Sequence, residues 1–334
     1  MNSYSPVRVG IAGATGYAGQ ELVALLARHP QVRLSAAMSS SPDSAARPLP
    51  RLNRLWDGQV EPLNTQRLAK ETDLTFLAVP ENAAAELAPP LVEAGVRVID
   101  LSGAFRIRND ETRHRWYPAT KALPSGAAYG LTEFFKDEVR DARLVANPGC
   151  YPTAALLSLL PLARAGLLDS GADIVIDAKS GISGAGRAPS DRTHFSENHG
   201  SVAAYGVLNH RHAAEMEQEL GATITFVPHL VPLDRGILET IYAKTAPGTT
   251  AGQIADAYER AYAHEPFVRL TGDALPEIKH VAWTNFCDIG WRYDAATRRL
   301  VVVSCIDNLV KGAAGQALQN FNVAMGFDER MGLL

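Results

Sequence analysis

The sequence predicts an α/β protein in which a Rossmann-type, doubly wound parallel sheet is followed by an α+β domain with a mixed or antiparallel sheet. Its 334 residues suffice for about two domains that each bury a core. In the first half, short β-prone runs alternate with helical patterns, which is typical of a parallel sheet. After Cys150, β-prone runs follow one another with fewer helices between them, which favours mixed or antiparallel pairing.

The first predicted domain spans residues 1–149 and begins with a strand, a glycine-rich turn and a helix. Apolar residues at helical spacing in residues 20–28 stop at His29 and Pro30, where the proline ends the helix. Residues 39–63 are rich in Ser, Pro and Arg and are predicted to form a surface excursion. The predicted strands are Val7–Ala12, Val32–Met38, residues 74–79 and residues 96–101.

The second predicted domain spans residues 150–307, and residues 308–334 form a C-terminal segment. Residues 151–165 have a helical pattern, and residues 311–325 are rich in Ala and Gln and predict a helix that packs back on the first domain. The predicted strands of the second domain are residues 174–178, 222–227, 236–244 and 300–304.

Composition and charge exclude several classes of function. The formal net charge of −4, from 32 basic and 36 acidic side chains, gives no electrostatic footprint for nucleic acid or for an anionic membrane. No apolar run approaches the roughly 20 residues of a membrane helix, and the first residues lack a signal-peptide pattern. The three cysteines are too few for a disulfide framework. We therefore expect a cytoplasmic protein with reduced thiols.

The turn after the first predicted strand contains Gly13, Ala14, Thr15, Gly16 and, three residues later, Gly19. Glycines between a strand and a helix let backbone amides at the helix N-terminus approach a pyrophosphate closely. The order of strand, turn, helix and second strand supports dinucleotide binding. The alternative is a glycine turn with a purely structural role.

The end of the second predicted strand indicates which dinucleotide binds. NAD enzymes usually place Asp or Glu there to bind the ribose hydroxyl groups, whereas this chain has Ser39, Ser40 and Ser41. Hydroxyl groups and the nearby Arg47 accommodate a 2′-phosphate, which a carboxylate would repel. We therefore expect NADP rather than NAD. The alternative is that the serines only form a solvated loop.

Cys150 follows a Pro-Gly turn and stands at the predicted start of an apolar helix. The partial positive charge and unpaired amides of a helix N-terminus stabilise a thiolate, so this position suits a nucleophile. A buried cysteine that caps the helix is the alternative. Cys287 and Cys305 lie in apolar, β-prone settings typical of structural thiols. A thiol beside a dinucleotide site indicates hydride reduction of a thioester, with an acyl phosphate or an aldehyde as substrate.

Histidines and arginines supply the remaining candidates for such chemistry. His210 and His212 are candidate acid/base groups, with His194 and His199 nearby in sequence. A zinc site or simple solvated histidines are the alternatives, and hydride transfer to a thioester needs no metal.

Two arginines follow flexible turns from which a side chain could reach an anionic substrate. These residues are Arg106 and Arg187. Arg187 comes after residues 180–186, where three glycines are expected to leave backbone amides for an anion nest.

Nine ordered sequence blocks resemble the N-acetyl-γ-glutamyl-phosphate reductases of arginine biosynthesis, which are relatives of aspartate-semialdehyde dehydrogenase. The resemblance spans nearly the whole chain. The blocks are GATGYAG (13–19), DLSGAFR (100–106), YGLTE (129–133), NPGCYPTA (147–154), SGISGAGR (180–187), HFSENH (194–199), HRHAAE (210–215), VPHLVPLDRGI (227–237) and DNLVKGAAGQALQ (307–319). The chain departs from the family where Ala104 replaces an aspartate and Thr132 replaces a proline.

The resemblance implies a role for individual residues. Cys150 would accept the acyl group, and His212, or else His210, would act as acid/base. The cofactor-binding residues would be Gly13, Ala14, Thr15, Gly16, Ser39, Ser40, Ser41, Ser183, Gly184 and Asn308. The substrate-binding residues would be Asn147, Arg106 and Arg187, and no metal would be needed.

The resemblance also implies NADP as cofactor, a small acyl phosphate as substrate and a homo-oligomer, either a dimer or a tetramer. Similar reductases act on aminoadipyl phosphate in lysine biosynthesis, sometimes with the substrate on a small acidic carrier protein. Aspartyl phosphate is a further alternative substrate. A non-enzymatic NADP-binding regulator is the alternative from another class, but such a protein would need no cysteine in the turn at Cys150.

Overall fold

The computed structural model describes residues 5–334, which form two compact units. The first unit comprises the chain up to Gly149 together with Ala313–Leu334, and the second unit is Cys150–Gly312. The chain therefore leaves the first unit at the turn before Cys150 and returns to it shortly before the C-terminal helix.

The first unit alternates strands with helices over most of its length. Its strands are β1 (Val7–Ala12), β2 (Val32–Met38), β3 (Arg47–Pro48), β4 (Gln59–Val60), β5 (Leu74–Leu77), β6 (Arg97–Asp100), β7 (Ala127–Tyr129) and β8 (Leu144–Ala146). The helices of this unit that precede Cys150 are α1 (Tyr17–Leu26), α2 (Thr65–Glu71), α3 (Glu81–Glu93), α4 (Asp110–Trp116) and α5 (Thr132–Asp141).

Six strands of the first unit form one sheet in the order β2-β1-β5-β6-β8-β7, and every neighbouring pair is parallel. β5 has the sequence LTFL and is buried along its whole length, as expected for a parallel strand covered on both faces. β3 and β4 form a separate antiparallel pair within the surface excursion between β2 and β5.

The second unit begins with an apolar helix and continues mainly as a sheet. Its helices are α6 (Cys150–Arg164), α7 (Phe195–Asn198), α8 (Arg211–Leu220), α9 (Ala251–Tyr262) and α10 (Ile278–Val281). Its strands are β9 (Ile174–Gly181), β10 (Ala203–Ala204), β11 (Ile224–Val231), β12 (Ile237–Lys244), β13 (Val268–Leu270), β14 (Cys287–Asp294) and β15 (Arg299–Ile306).

The seven strands of the second unit form one mixed sheet in the order β10-β11-β9-β12-β15-β14-β13. β11 pairs with β9, and β13 with β14, in parallel, whereas the other neighbouring pairs are antiparallel. Buried and partly exposed residues alternate along β9 and β11, so one face of these strands is covered and the other is open. α6 is buried on all sides from Tyr151 to Leu162.

The C-terminal helix α11 (Gly315–Met325) belongs to the first unit and is preceded by a short π-helix at residues 310–314. The buried side-chain amides of this helix form hydrogen bonds with residues near β7 and α5. Gln316 Nε2 donates to the carbonyl oxygen of Gly130 at 3.0 Å and to the hydroxyl of Thr132 at 2.7 Å. Asn320 Nδ2 donates to the same Gly130 oxygen at 2.8 Å, and the Thr132 hydroxyl donates to Asn320 Oδ1. Thr132 therefore has a specific hydrogen-bonding role at the position where the family usually has proline.

The predicted fold class is confirmed, because a parallel doubly wound sheet is joined to a mixed sheet. Two predicted strands, β1 and β2, have the observed bounds, and the six others overlap an observed strand with different ends. The strands that were not predicted are β3, β4, β7, β8, β10, β13 and β14. Within residues 5–334, no helix combines the length and apolar character that a membrane crossing requires.

Candidate active site and cofactor site

The predicted phosphate-binding turn joins β1 to α1, and close contacts between backbone atoms fix its shape. Gly13 has a φ of +90°, and a Cβ atom on it would lie 2.1 Å from the carbonyl oxygen of Ala78. A Cβ atom on Gly19 would lie 2.1 Å from the carbonyl oxygen of Gly13. Both positions require glycine, because any side chain would overlap backbone atoms. The two glycines thus bring the start of α1 close to β1.

The start of α1 fits a pyrophosphate. Its N-cap residue Gly16 offers no capping side chain, and the first turn has no acidic residue. The first N–H groups of a helix lack intrahelical acceptors and carry partial positive charge, so they can bind phosphate oxygens. By contrast, the N–H groups of Gly13 and Ala14 both donate to the carbonyl oxygen of Met38 at 2.8 Å. These two residues shape the turn, and their amides are occupied within the fold.

The loop after β2 has no carboxylate within its first three residues. The hydroxyl of Ser39 is buried and donates to the carbonyl oxygen of Ser41 at 2.7 Å. Ser41 Oγ accepts the N–H of Asp43 at 3.2 Å, whereas Ser40 is exposed. Ser40 and Ser41 can therefore face a bound 2′-phosphate, while Ser39 braces the loop.

The turn before Cys150 is fixed by Asn147, which has no exposed surface. Its N–H donates to the carbonyl oxygen of Asp100 at 2.8 Å, and its Oδ1 accepts from Asn320 Nδ2 at 3.0 Å. Arg106 is also buried, and its Nε donates to the Asn147 carbonyl oxygen at 2.7 Å while its Nη2 donates to the Leu101 carbonyl oxygen at 2.8 Å. Both residues thus hold the backbone, and binding of substrate by either stays a prediction.

Asp100, at the end of β6, is a buried carboxyl group with an unusual pKa. Its two oxygens accept the N–H and the hydroxyl of Ser102 at 3.0 and 2.8 Å. Burial raises the pKa of this carboxyl to about 6, although the Ser102 hydrogen bonds and the charge of Arg106 act in the opposite direction. Ala104, where the family has aspartate, is fully buried in the same loop.

Cys150 is the first residue of α6 and is half-buried. Gly312 packs against it so closely that a Cβ atom on Gly312 would lie 2.8 Å from the Cβ of Cys150. The N–H of Gly312 donates to the carbonyl oxygen of Asp307 at 2.8 Å, which fixes this approach. Cys287 and Cys305 are fully buried, and burial raises the pKa of the Cys305 thiol. Of the three thiols, Cys150 alone combines partial exposure with a helix N-terminus.

Two tyrosines lie close to Cys150. The hydroxyl groups of Tyr151 and Tyr205 are 3.1 Å apart. Burial raises the pKa of Tyr205 to about 12, and the charge of Cys150 contributes in the same direction. Both tyrosines therefore stay protonated near neutral pH and can donate hydrogen bonds. Neither tyrosine was predicted from the sequence. Adjacency to Cys150 is a local signal for Tyr151, whereas Tyr205 lies far from Cys150 in the sequence and has no such signal.

His210 and His212 lie together beside these tyrosines, with ring centroids 4.9 Å apart. His210 is the N-cap residue of α8, and its Nδ1 accepts the N–H of His212 at 3.2 Å. A ring nitrogen that accepts a hydrogen bond carries no proton, so the proton of neutral His210 lies on Nε2. Burial, with a smaller effect of the Arg211 charge, lowers the pKa of His210 to about 4. His210 is therefore neutral near pH 7.

The loop at residues 180–187 is bound to the segment before β12. Ser183 N donates to the carbonyl oxygen of Asp234, and Asn308 Nδ2 donates to Ser183 Oγ at 2.9 Å. The expected anion nest is wrong for most of this loop, because the amides of residues 181, 182, 183 and 186 donate to carbonyl groups of the protein. Gly184 and Arg187 are exposed.

The other candidate histidines form no visible metal site. His194 and His199 are exposed, and the ring of His199 lies 5.0 Å from that of Phe195. Across residues 5–334, no group of three or more His, Cys, Asp or Glu side chains is arranged to hold a metal ion.

Two family models match the chain. One is described as the NAD binding domain of semialdehyde dehydrogenase and matches residues 8–142. The other is described as the dimerisation domain of semialdehyde dehydrogenase and matches residues 150–308.

Curated relatives match the chain along almost its full length. N-acetyl-gamma-glutamyl-phosphate reductase from Shouchella clausii is 47% identical, and that from Brevibacillus brevis is 46% identical; in both comparisons the match covers 98% of each chain. The chain belongs to the N-acetyl-gamma-glutamyl-phosphate reductase family. The resemblance inferred from the nine sequence blocks is thereby confirmed.

Solved structures share the fold of this reductase family member. Aspartate semialdehyde dehydrogenase II from Vibrio cholerae aligns with a TM-score of 0.73 and 18% identity, over 96% of this chain and 99% of the other. Aspartate semialdehyde dehydrogenase from Candida albicans, solved with NADP, aligns with a TM-score of 0.70 and 16% identity, over 96% and 99% of the two chains. At such low identity these likenesses support the fold.

Proposed function

We propose that this protein uses NADPH to reduce N-acetyl-γ-glutamyl phosphate to N-acetylglutamate 5-semialdehyde with release of phosphate. The main support for this proposal is the 47% identity, over 98% of the chain, to a reductase named for this substrate. Cys150 at the N-terminus of α6 supports the chemistry, because that position favours a thiolate. The start of α1 and the three serines, with no carboxylate, that directly follow β2 support binding of NADP.

Cys150 carries the acyl group in the proposed reaction. Its thiolate attacks the acyl carbon, a carbon–sulfur bond forms, the bond from carbon to the phosphate oxygen breaks, and phosphate leaves. NADPH, when bound, supplies a hydride to the carbonyl carbon of the thioester. The carbon–sulfur bond then breaks, which releases the aldehyde and restores the Cys150 thiolate. The close packing of Gly312 against Cys150 holds the sulfur atom in position for both steps.

His212 is the proposed acid/base group. The oxygen of the reduced thioester needs a proton while the tetrahedral intermediate exists and must lose it again as the aldehyde forms. A group that does both has a pKa near the working pH, and the pKa of His210 is lowered to about 4. His210 is proposed to position His212 instead, by accepting its N–H and by capping α8.

Arg187 and Arg106 are the proposed cations for the substrate. Arg187 is exposed on the loop after Gly184, so its guanidinium can contact the phosphoryl group. Arg106 is buried and bonded to two carbonyl oxygens, so its contribution is to hold the turn at Asn147. Ser183, Gly184 and Asn308 are proposed to contact the cofactor from their linked loops.

The protein is proposed to be a cytoplasmic homo-oligomer. The second unit matches a family model described as a dimerisation domain, and one face of β9 and β11 is open. Tyr242, on the neighbouring strand β12, is 45% exposed, which is unusual for a large aromatic residue in the middle of a sheet. We propose that this open face pairs with a second copy of the chain.

The reverse reaction tests the proposed function. Wild type should reduce NADP with N-acetylglutamate semialdehyde only when phosphate is present, and Cys150→Ala should abolish this activity. Cys287→Ala is the matched control, because it removes a buried thiol that lies on a strand and not at the start of a helix, and it should keep the activity. An inactive wild type that accepts the aminoadipyl or the aspartyl analogue would change the assigned substrate. No activity on any of the three, with intact NADP binding, would favour a regulator.

A further inference from the structure

The hydroxyl of Tyr205 is a polar group of the second unit that is not among the residues proposed above for the reaction. Tyr205 follows β10, and its N–H donates to the carbonyl oxygen of Pro228 on β11 at 3.0 Å. Its ring lies edge-on against the ring of His210, with centroids 5.6 Å apart, and the guanidinium of Arg192 lies 5.9 Å from the Tyr205 ring centroid. These contacts hold the side chain, and the residue stays partly exposed.

The hydrogen of this hydroxyl is available to a third group. The Tyr205 hydroxyl lies 3.1 Å from the hydroxyl of Tyr151, which in turn lies 3.4 Å from the carbonyl oxygen of His229. The hydrogen of Tyr151 is assigned to the shorter contact, because 3.4 Å is long for an O–H···O bond. The Tyr205 oxygen then accepts, and its own hydrogen points elsewhere. Among residues 5–334, no other hydrogen-bond partner is present for the Tyr205 hydroxyl.

This hydrogen lies near the proposed nucleophile. Tyr151 directly follows Cys150 at the start of α6 and links Tyr205 to that turn of helix. Burial raises the pKa of Tyr205 to about 12, and the charge of Cys150 acts in the same direction, so the thiol and the hydroxyl interact through space. The phenol therefore keeps its hydrogen near neutral pH and offers a neutral O–H donor close to the thiol.

The proposed reaction develops negative charge on the acyl oxygen twice. Attack by the Cys150 thiolate turns this oxygen into an oxyanion, and hydride transfer to the thioester does so again. A fixed O–H donor stabilises the charged oxygen more than it stabilises the neutral carbonyl oxygen that precedes it. Such a donor consequently lowers the barriers of both steps.

We propose that the Tyr205 hydroxyl donates a hydrogen bond to the acyl oxygen of the substrate at Cys150, so that Tyr205 is a further catalytic residue. This inference rests on the proposed function, because it requires an acyl group on Cys150. The O–H bond of Tyr205 stays intact in both steps, and proton transfer remains with His212. Tyr151 is a positioning residue, since its hydrogen bond to the Tyr205 oxygen directs the Tyr205 hydrogen away from Tyr151.

Tyr205→Phe tests the proposal, because it removes the hydroxyl and keeps the ring between His210 and Arg192. In the phosphate-dependent reduction of NADP by N-acetylglutamate semialdehyde, kcat and kcat/KM should both fall about 100-fold, as for the loss of one oxyanion donor. KM for the aldehyde should stay the same, because the lost interaction forms only in the transition state. A wild-type kcat, or a loss confined to KM, would overturn the proposal.

Two further measurements separate this role from a structural one. The pH profile of Cys150 labelling by iodoacetamide and the affinity for NADP, followed by fluorescence titration, should be the same in Tyr205→Phe and wild type. A change in either would overturn the proposal, because it would mean that the variant displaces the thiol or disturbs the fold around it.

Tyr293→Phe is the matched control, because it removes the same atom from the same unit. Tyr293 pairs with Leu300 at the start of β15, about 20 Å along that strand from its end at Ile306, after which the chain reaches Gly312. This variant should keep the wild-type kcat, and an equal loss in both variants would overturn the proposal. Tyr151→Phe should lower kcat less than Tyr205→Phe does, since Tyr151 does not contact the substrate. An equal or larger loss in Tyr151→Phe would also overturn it.

Failure of the proposed function gives a different result. Wild type that is inactive with N-acetylglutamate semialdehyde but active with the aminoadipyl or aspartyl aldehyde would change the substrate, and the Tyr205→Phe comparison would then use that aldehyde. An active wild type with an equally active Tyr205→Phe variant would overturn the role of Tyr205 alone. Wild type that is inactive with all three aldehydes would overturn both proposals.

Discussion

Glu239 is expected to make the folded state less stable as pH rises, and Glu239→Gln is expected to remove this effect. The side chain lies on β12 with no exposed surface, and in the described chain neither carboxylate oxygen has a hydrogen-bond partner. Burial raises its pKa well above the usual value, and the charge of Lys179 offsets only part of the shift. The folded protein therefore keeps a proton at pH values where the unfolded chain has released it.

The magnitude follows from this difference in proton binding. The contribution of Glu239 to stability is complete below its unfolded pKa, about 4.3, and is lost as pH rises towards the folded pKa. Within that window the free energy of unfolding falls by about 1.4 kcal/mol per pH unit relative to a variant that cannot ionise at this position. Glutamine has nearly the same shape, so the advantage of Glu239→Gln over wild type should grow at that rate.

Urea unfolding followed by circular dichroism at pH 5, 6 and 7 measures this effect. Taking the difference between variant and wild type removes the parallel contribution of other groups such as Asp100, whose pKa of about 6 acts in the same direction. Glu138→Gln, at an exposed position on α5, is the control and should give a difference that does not change with pH. Parallel stability curves for Glu239→Gln and wild type would refute the reasoning, since they would mean that the carboxyl ionises equally in both states.

Three further predictions concern the surroundings of the nucleophile. Gly312→Ala should lower turnover about 100-fold, because its new Cβ atom would displace Cys150. The same overlap should lower the free energy of unfolding by about 1–3 kcal/mol. Normal turnover in the reductase assay would contradict this prediction. Asn320→Ala should lower the free energy of unfolding by about 1–3 kcal/mol, because it removes the donor to buried Asn147 Oδ1; unchanged urea unfolding would oppose it. In the native protein, iodoacetamide should label Cys150 faster than Cys305, whose pKa burial raises; peptide mass spectrometry showing equal rates would argue against a thiolate at Cys150.

The parts of the fold that the sequence predicted are those in which local pattern and burial agree. β1 and β2 have their predicted bounds because each is a compact β-prone run beside a clear turn or stop signal. β14 was not predicted, because its sequence CDIGWRYD includes glycine and three charged residues. Its position is fixed by antiparallel pairing with β15, and the local pattern of β14 does not reveal this pairing.

The candidate site also contains features that could be predicted from the sequence and features that could not. Cys150 could be selected from the sequence because a Pro-Gly turn before an apolar helix is a local signal. The expectation of an anion nest at residues 180–186 is wrong for most of the loop. It was based on the number of glycines and did not include the carbonyl groups that accept hydrogen bonds from the amides of the loop. The carbonyl groups that bind most of these amides come from residues 233, 234 and 236, about 50 residues later in the chain. The sequence likewise did not show that the amides of Gly13 and Ala14 are hydrogen-bonded, because their acceptor, the carbonyl oxygen of Met38, lies on a different strand.

The C-terminal helix illustrates why the position of the nucleophile depends on distant residues. The Ala- and Gln-rich pattern predicts α11, but a polar residue such as Asn320 would normally face solvent, and here it has no exposed surface. Its amide bonds to both Gly130 and Asn147, and Asn147 is the residue at which the turn into Cys150 begins. A buried amide is stable only when its hydrogen bonds are satisfied, so the partners fix one another. The chain therefore returns to its first unit with polar groups that help to hold the turn immediately before the thiol. An apolar residue at position 320 would remove the hydrogen bond to Asn147 Oδ1 and leave that oxygen without this donor.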